Sequence, residues 1–351
     1  MHARDPYAAR QLVDPADASL NSADALLDDR SKAFEASIDD HERRRIRTAV
    51  SELSNLSPHW SIAALIFDWA VIGIAIAIGT GFDSLGVTAL CIFVIGSRQH
   101  GLLLLMHDAA HRRLHPDKQM NEWLSDIFCA FPLFVTTANY GASHFAHHRH
   151  TNTEKDPDWA RRQGLEEWRF PKAPLQLAVL FLKQISGLGV GSMIGKAFRF
   201  GRTASRRPTG AIVVGPMRTV ARIAFYVCLL AGLTYFGVWK QFLVYWIFPI
   251  ATSLAFLMRV RSISEHFGLT YLNELTSSRN VIPALLERPF LGLHSSHLHL
   301  DHHLYPSVPF YNLPRLHRVL GENDVYRSSA KENGAYFLRA RNSVWSDLVR
   351  T

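Results

Sequence analysis

The sequence predicts an all-α integral membrane protein, with four transmembrane helices in two hairpins carrying a helical cap on the cytoplasmic side. Three observations predict it. Apolar residues make up 48% of the 351 positions but are segregated: residues 60–106 and 219–258 are strongly apolar, while 1–57 and 304–351 are polar and charged. The apolar stretches come in pairs of spanning length with short turns between them. Basic residues crowd one side of those pairs, with 16 Lys and Arg between the hairpins in residues 107–218 and only Lys240 at the two tips.

Residues 1–57 read as a cytoplasmic, partly disordered lead-in, with no apolar run of the kind that forms a secretory signal. Within it, "DDHERRRIRTAVSELSNL" sets Ile46, Val50 and Leu53 at helical spacing beside Arg43, Arg44, Arg45 and Arg47. That pattern suits a short helix on an anionic membrane surface, or a solvated helix. The first span, residues 60–82, contains one charge, Asp68. The second, residues 85–106, is interrupted by "SRQH" at 97–100. Arg98 and His100 inside a span are costly unless they face a polar protein interior, which marks that end as functional.

Residues 173–198 are apolar but broken by Lys183 and several glycines, so they read as an interfacial or re-entrant helix. Residues 219–239 and 242–258 form the second hairpin. The excess of Lys and Arg places the tips outside and both termini with the middle segment in the cytoplasm. The membrane domain then covers 58–315, its cap comes from 107–218 and 259–315, and 316–351 is a cytoplasmic tail. Buried helices of a large soluble core would also be apolar, but paired segments with one-sided charge argue against that reading.

The net charge of +8 fits this membrane topology. No basic stripe with interleaved aromatics points to nucleic acid. Cys91, Cys129 and Cys228 are far apart and form no CxxC pair, so they read as buried apolar residues in a reducing compartment.

Histidine carries the functional signal. Of 18 histidines, 12 fall within three windows totalling 26 residues: "HDAAHRRLH" (107–115), "HFAHHRH" (144–150) and "HSSHLHLDHH" (294–303). His107 and His111 are four apart. His144, His147 and His148 stand at i, i+3, i+4, and His299, His302 and His303 repeat that pattern. On a helix these offsets bring side chains onto one face, so each window can aim two or three imidazoles at one point. Neutral imidazole is a ligand for zinc, copper, iron or nickel.

The topology places every cluster on one side of the membrane, and His266 follows the end of the fourth span there. Eight or nine imidazoles exceed what one ion can take, which implies a histidine-rich dimetal site. Asp108, Asp156, Asp158, Glu265 and Asp301 lie among these histidines and read as carboxylates that orient metal-bound imidazoles. His2, His41, His59 and His317 read as ordinary isolated histidines, and His115 and His150 fall outside the repeated spacing. Spacing leaves the roles of His100, His294 and His297 open.

HxxxH (107–111), HxxHH (144–148) and a C-terminal HxxHH (299–303), with "HHRHTNTEKDPD" and "HLDHHLYP", resemble the three histidine boxes of integral-membrane fatty acid desaturases. The similarity covers roughly residues 60–315. It implies four spans under a cytoplasmic cap holding two iron ions, with O₂ as co-substrate. Carried over residue by residue, it implies His107, His111, His144, His147, His148, His299, His302 and His303 as ligands, with His266 as an additional one. Where some animal acyl-CoA members place an Asn four residues before that ligand, this chain has Ser262. No HPGG-type haem motif is present, so the resemblance implies an external ferredoxin- or cytochrome-type electron donor. The implied substrate is an acyl-lipid, acyl-CoA or acyl-carrier chain seated in an apolar slot between the spans.

A related di-iron hydroxylase or ketolase acting on a lipid, alkane or carotenoid is the nearest alternative. Zinc hydrolysis fits less well, because "HDAAH" has Asp where an HExxH motif has its general base. A metal transporter would place its sites near the bilayer midplane, whereas these clusters follow the span ends.

Overall fold

The computed structural model describes residues 31–189, 215–269, 271–338 and 342–349. The first 30 residues, including His2 and most of the expected disordered lead-in, lie outside the described set. Four helices are long and apolar enough to cross a bilayer: α2 (Pro58–Gly81), α3 (Leu85–Ala110), α7 (Pro216–Tyr235) and α8 (Trp239–His266). The other helices that matter to the site are α1 (Asp40–Leu53), α4 (Lys118–Ser125), α5 (Thr137–His150), α6 (Pro174–Ile185), α9 (His299–Leu304), α10 (Leu313–Gly321), α11 (Asp324–Ser329) and α12 (Val344–Leu348). A parallel pair, β1 (Asn280–Val281) and β2 (Glu332–Asn333), is the only sheet among the described residues.

α3 is the central strut. From Ile95 to Ala109 all but Leu103 are buried. Small residues let its neighbours approach. A Cβ on Gly96 would stand 2.0 Å from Ser253 Oγ and 2.8 Å from the Leu254 amide, so α8 presses directly on α3 there. A Cβ on Gly101 would meet the Asp68 carboxylate at 2.4 Å, so that acid of α2 also packs against bare backbone. Trp69 of α2 stacks on Trp246 of α8, with ring centroids 5.4 Å apart. α8 bears Pro249, which cannot donate to the helical ladder, and π turns at Leu243–Ile247 and Ile250–Leu254 flank it.

The predicted spans are present, with shifted ends. α3 continues four residues past Met106, and α8 runs eight residues past Met258 to His266. In both cases the charges that seemed to stop the helix are taken up inside the protein. Arg261 pairs with Glu265, and the amide of Phe310 donates to Asp108.

α1 forms as its spacing predicts, with its apolar face packed against the protein. Its apolar residues Ile46 and Leu53 join Leu298, Leu300, Leu304, Leu316 and Leu320 in one core. Its arginines find partners within the chain: Arg45 pairs with Glu42 and Glu322, and Arg47 with Glu35. The segment after 315 is likewise packed onto the body instead of forming a separate tail. Tyr336, Val344 and Leu348 share a core with Leu257, Val260 and Ile263 of α8. α6 buries Leu177 and Phe181 in that same core, while Leu175 and Leu182 face outward, as an interfacial helix would. The remainder of the 173–198 stretch lies beyond the described residues after 189.

Candidate metal centre

Four chain segments deliver nine imidazoles to one place. α3 supplies His107 near its end and His111 at its C-cap. α5 supplies His144, His147 and His148, α8 ends on His266, and α9 supplies His299, His302 and His303. α5 starts at Thr136, whose hydroxyl accepts from the Asn139 amide at 3.3 Å. The short α9 is held by Asn280, whose Oδ1 accepts from the Leu300 and Asp301 amides at 3.0 and 3.4 Å. Leu298, Leu300 and Leu304, packed against α1, fix its opposite face.

The nine divide into two groups of facing ligand atoms: His107, His111, His144, His148 and His302 in one, and His147, His266, His299 and His303 in the other. Within each group the candidate donor atoms all lie within 4.8 Å of one another. The boxes are interleaved. α5 gives His144 and His148 to the first group and His147 to the second, while α9 gives His302 to the first and His299 and His303 to the second. Across the divide, the rings of His148 and His303 stack with centroids 4.2 Å apart.

Whether these residues fit a metal can be tested on the spacing. His111 Nε2 lies 2.8 Å from His144 Nε2, which lies 3.0 Å from His148 Nε2, which lies 3.2 Å from His302 Nε2. In the second group, His147, His299 and His303 follow the same rule: His266 Nε2 is 3.2 Å from that of His147 and 2.9 Å from that of His299, which is 3.1 Å from His303 Nε2. A nitrogen facing two like nitrogens cannot satisfy both with one proton. Metal–nitrogen bonds of about 2.1 Å in an octahedral shell would set neighbouring donors about 3.0 Å apart, so the spacing is that of a coordination edge. His107 Nε2 is buried with no hydrogen-bond partner among the described residues, as expected of a lone pair reserved for a cation.

Burial also sets the charge state. All nine histidines are at most 7% exposed. Desolvation, followed by the charge of Arg113, pushes His111 down to about 3. Burial first, and repulsion from neighbouring imidazoles second, holds His144, His148, His299, His302 and His303 well below the ordinary histidine range. Each therefore presents a neutral, lone-pair-bearing ring at neutral pH.

The five carboxylates differ in what they reach. Asp156 lies 2.9 Å from His147 Nδ1 and is itself fixed by the amides of Asn152 and Asp158. Glu265 stands 3.4 Å from His299 Nδ1 while accepting from Arg261 at 2.5 Å. Asp108 lies 3.6 Å from His107 Nδ1, beyond hydrogen-bond range, and instead accepts from the Phe310 amide at 2.9 Å. Asp301 is fully buried but turns away from the imidazoles of the boxes, accepting from Asn280 Nδ2, Tyr326 Oη and His317 Nδ1. Asp158 pairs with Arg161 and Arg162 and touches no box ring. Of the five acids only Asp156 lies within hydrogen-bond distance of a box imidazole nitrogen, with Glu265 the next nearest. For His266 a backbone oxygen serves, with Ser277 O 3.3 Å from Nδ1.

His294 and His297 stand outside both groups, as do His100, His115 and His150. His294 Nε2 instead lies 2.7 Å from Asp68, which also accepts from Arg98 at 3.2 Å. Arg98 donates onward to Pro289 O at 2.6 Å. His294 and Ser295 both hold left-handed backbone, at φ 45° and 53°, a conformation that costs of order 1–3 kcal/mol for a non-glycine residue. Arg98 and His294 of this triad line a cavity of about 650 Å³ between α2, α3 and residues 289–294. Trp60, Phe67 and Val94 line its outer part. A cavity between two of the spans, where the sequence expects an apolar slot, is thus lined mainly by apolar residues with Arg98 and His294 among them.

Four apolar spanning helices around two clusters of buried histidine make this a helical membrane protein with a candidate metal centre. The profile of the fatty acid desaturase family matches residues 83–332, and the chain belongs to that family, which makes it an oxidoreductase. It is 28% identical over 332 residues to a dihydrorhizobitoxine desaturase of Bradyrhizobium elkanii, covering 91% of this chain and 90% of that one. It is 23% identical over 275 residues to an sn-1 oleoyl-lipid 12-desaturase of Anabaena variabilis, covering 71% and 74% of the two chains.

Proposed function

We propose that this protein is a membrane-bound, O₂-dependent di-iron desaturase. It converts two adjacent methylene groups of an acyl-type chain into a double bond, taking two electrons and two protons from outside and releasing two waters. The observation that carries this reading is the pair of interleaved imidazole groups at coordination-edge spacing. His107, His111, His144, His148 and His302 would hold one iron, and His147, His266, His299 and His303 the other. When bound, the pair would supply the oxidising power, through O₂, that removing hydrogen from an unactivated methylene requires and no side chain possesses.

The protein's own groups do the rest. Asp156 and Glu265 orient His147 and His299 through their distal nitrogens. The shell of nine buried rings, each nearly closed to solvent, keeps bulk water from the reacting carbons. The lateral cavity between α2 and α3 gives an apolar chain a way in from the bilayer. The excess of basic residues between the hairpins supports a cytoplasmic centre with both termini on that side, where a soluble ferredoxin- or cytochrome-type carrier would deliver electrons. The two relatives are named for different substrates, so the family match alone leaves the chain to be desaturated open.

The test is product analysis. Membranes containing the protein are incubated with acyl substrates, O₂ and a reducing system, and the products are read by mass spectrometry. A product lacking two hydrogens is expected. A product carrying an added hydroxyl or keto oxygen would replace this reading with the hydroxylase alternative. Purified protein should hold two irons per chain, and zinc alone would overturn the assignment.

A further inference from the structure

The proposed chemistry leaves two polar side chains at the heart of the spans without a task. His100 lies seven residues before His107 on α3, hence two turns away on the same face. It is fully buried, and neither ring nitrogen has a hydrogen-bond partner among the described residues. The Phe290 backbone lies alongside it, and the charges of Arg261 and Arg98 act on it.

Arg261 of α8 is the second. Its Nε donates to Glu265 at 2.5 Å, and no hydrogen bond among the described residues is donated by Nη1 or Nη2. Its side chain keeps 12% of its surface accessible, so it is not wholly enclosed by packed atoms. The same Glu265 carboxylate stands 3.4 Å from His299 Nδ1, which places the guanidinium beside the metal centre.

A task as the partner of Glu265 alone would not require this arrangement, because Nε already serves that carboxylate. The two free Nη groups form a fork suited to a bidentate carboxylate. Nine imidazoles carry no negative charge and so leave the charge of any bound cations uncompensated, which favours a further anion there. Arg261 precedes His266 by five residues, or about 7.5 Å of helix rise, so a carboxylate on it would leave room for only a few carbon–carbon bonds before the centre.

We propose, resting on the desaturase reading above, that the Arg261 fork with His100 beside it binds a free carboxylate of the substrate. The enzyme then acts on carboxylate-bearing chains close to that end, in preference to neutral esters or thioesters of lipids and carriers.

The experiment compares hexanoate with methyl hexanoate on the purified, iron-loaded protein, using the shift in melting temperature as the readout of binding. Hexanoate should raise the melting temperature at concentrations where its methyl ester does not. The double variant Arg261→Gln/Glu265→Gln, which leaves no unpaired charge, should abolish the difference, and His100→Leu should weaken hexanoate about tenfold. Equal shifts from acid and ester, or a hexanoate-specific shift surviving in the double variant, would overturn the proposal. The latter result would mean that the acid binds the metals directly. Iron content is measured on the same samples. Protein without iron defeats the desaturase reading, whereas iron-loaded protein blind to the carboxylate defeats only this inference.

Discussion

α3 and α7 are both apolar helices of spanning length, yet 67% of the apolar window of α3 is buried inside the protein and only 6% of that of α7. α7 buries Leu233 alone and touches the body through Arg218, which pairs with Glu122 and Asp126, and through Tyr226, which donates to Phe131 O. α3 carries Arg98, His100, His107 and Asp108, and every one of them is enclosed. Apolar length marks a span. Polar residues that the span keeps mark the face around which the protein is assembled.

The sharpest way to break this contrast is to remove one of the clustered histidines from the enclosed side. His148→Ala should reduce desaturation to background and lower iron content, while Val227→Ala on the outer face of α7, where the residue is 59% exposed, should leave both unchanged. Asp68→Leu should follow in size. It strands the Arg98 guanidinium, which is 7% exposed, and breaking a buried ion pair by deleting one partner costs about 3–5 kcal/mol. Thermal unfolding in detergent reads that loss, and Asp68→Leu combined with Arg98→Met should recover part of it.

Acid provides the third test. The folded protein holds His111 at about 3, below the ordinary 6.5 or so of the unfolded chain, so the unfolded state binds more protons between those values. The His111 contribution is complete above about 6.5 and is lost as pH falls toward 3, and the other depressed box histidines act in the same direction. Metal-free protein should therefore lose stability steadily on acidification through this window. An unchanged melting temperature between pH 7 and pH 4 would contradict the burial of the rings. The smallest effect compares two glycines. Gly96→Ala drives a methyl into Ser253 and the Leu254 backbone and should cost about 1–3 kcal/mol. Gly232→Ala on α7 meets nothing within 4 Å and should be neutral or slightly stabilising.

Much of the centre was legible in the sequence because metal ligation imposes short spacings on a scarce residue. All nine predicted histidines fall into the two groups. Arg98 and Asp68 were also visible, as charges where a bilayer span cannot carry them alone. What spacing could not convey is assignment across elements. Nothing in HxxHH says that its middle histidine serves a different group from the outer two, since that depends on how α5 and α9 face each other. The ends of α3 and α8 were read too early because Asp108, Arg261 and Glu265 look like helix-ending charges until their partners are known. Asp301 resembled a support for its neighbouring rings, but α9 turns it to the opposite side, toward Asn280 and His317.

The sharing of α5 between the two groups bears on how such a centre would be filled. One helix, five residues from His144 to His148, is a common wall of both compartments, so a first occupant that settles its pitch and rotation also sets out the second berth. Loading should then run from empty to doubly occupied with little singly occupied protein between, and a chelator strong enough to strip one compartment should empty its neighbour as well.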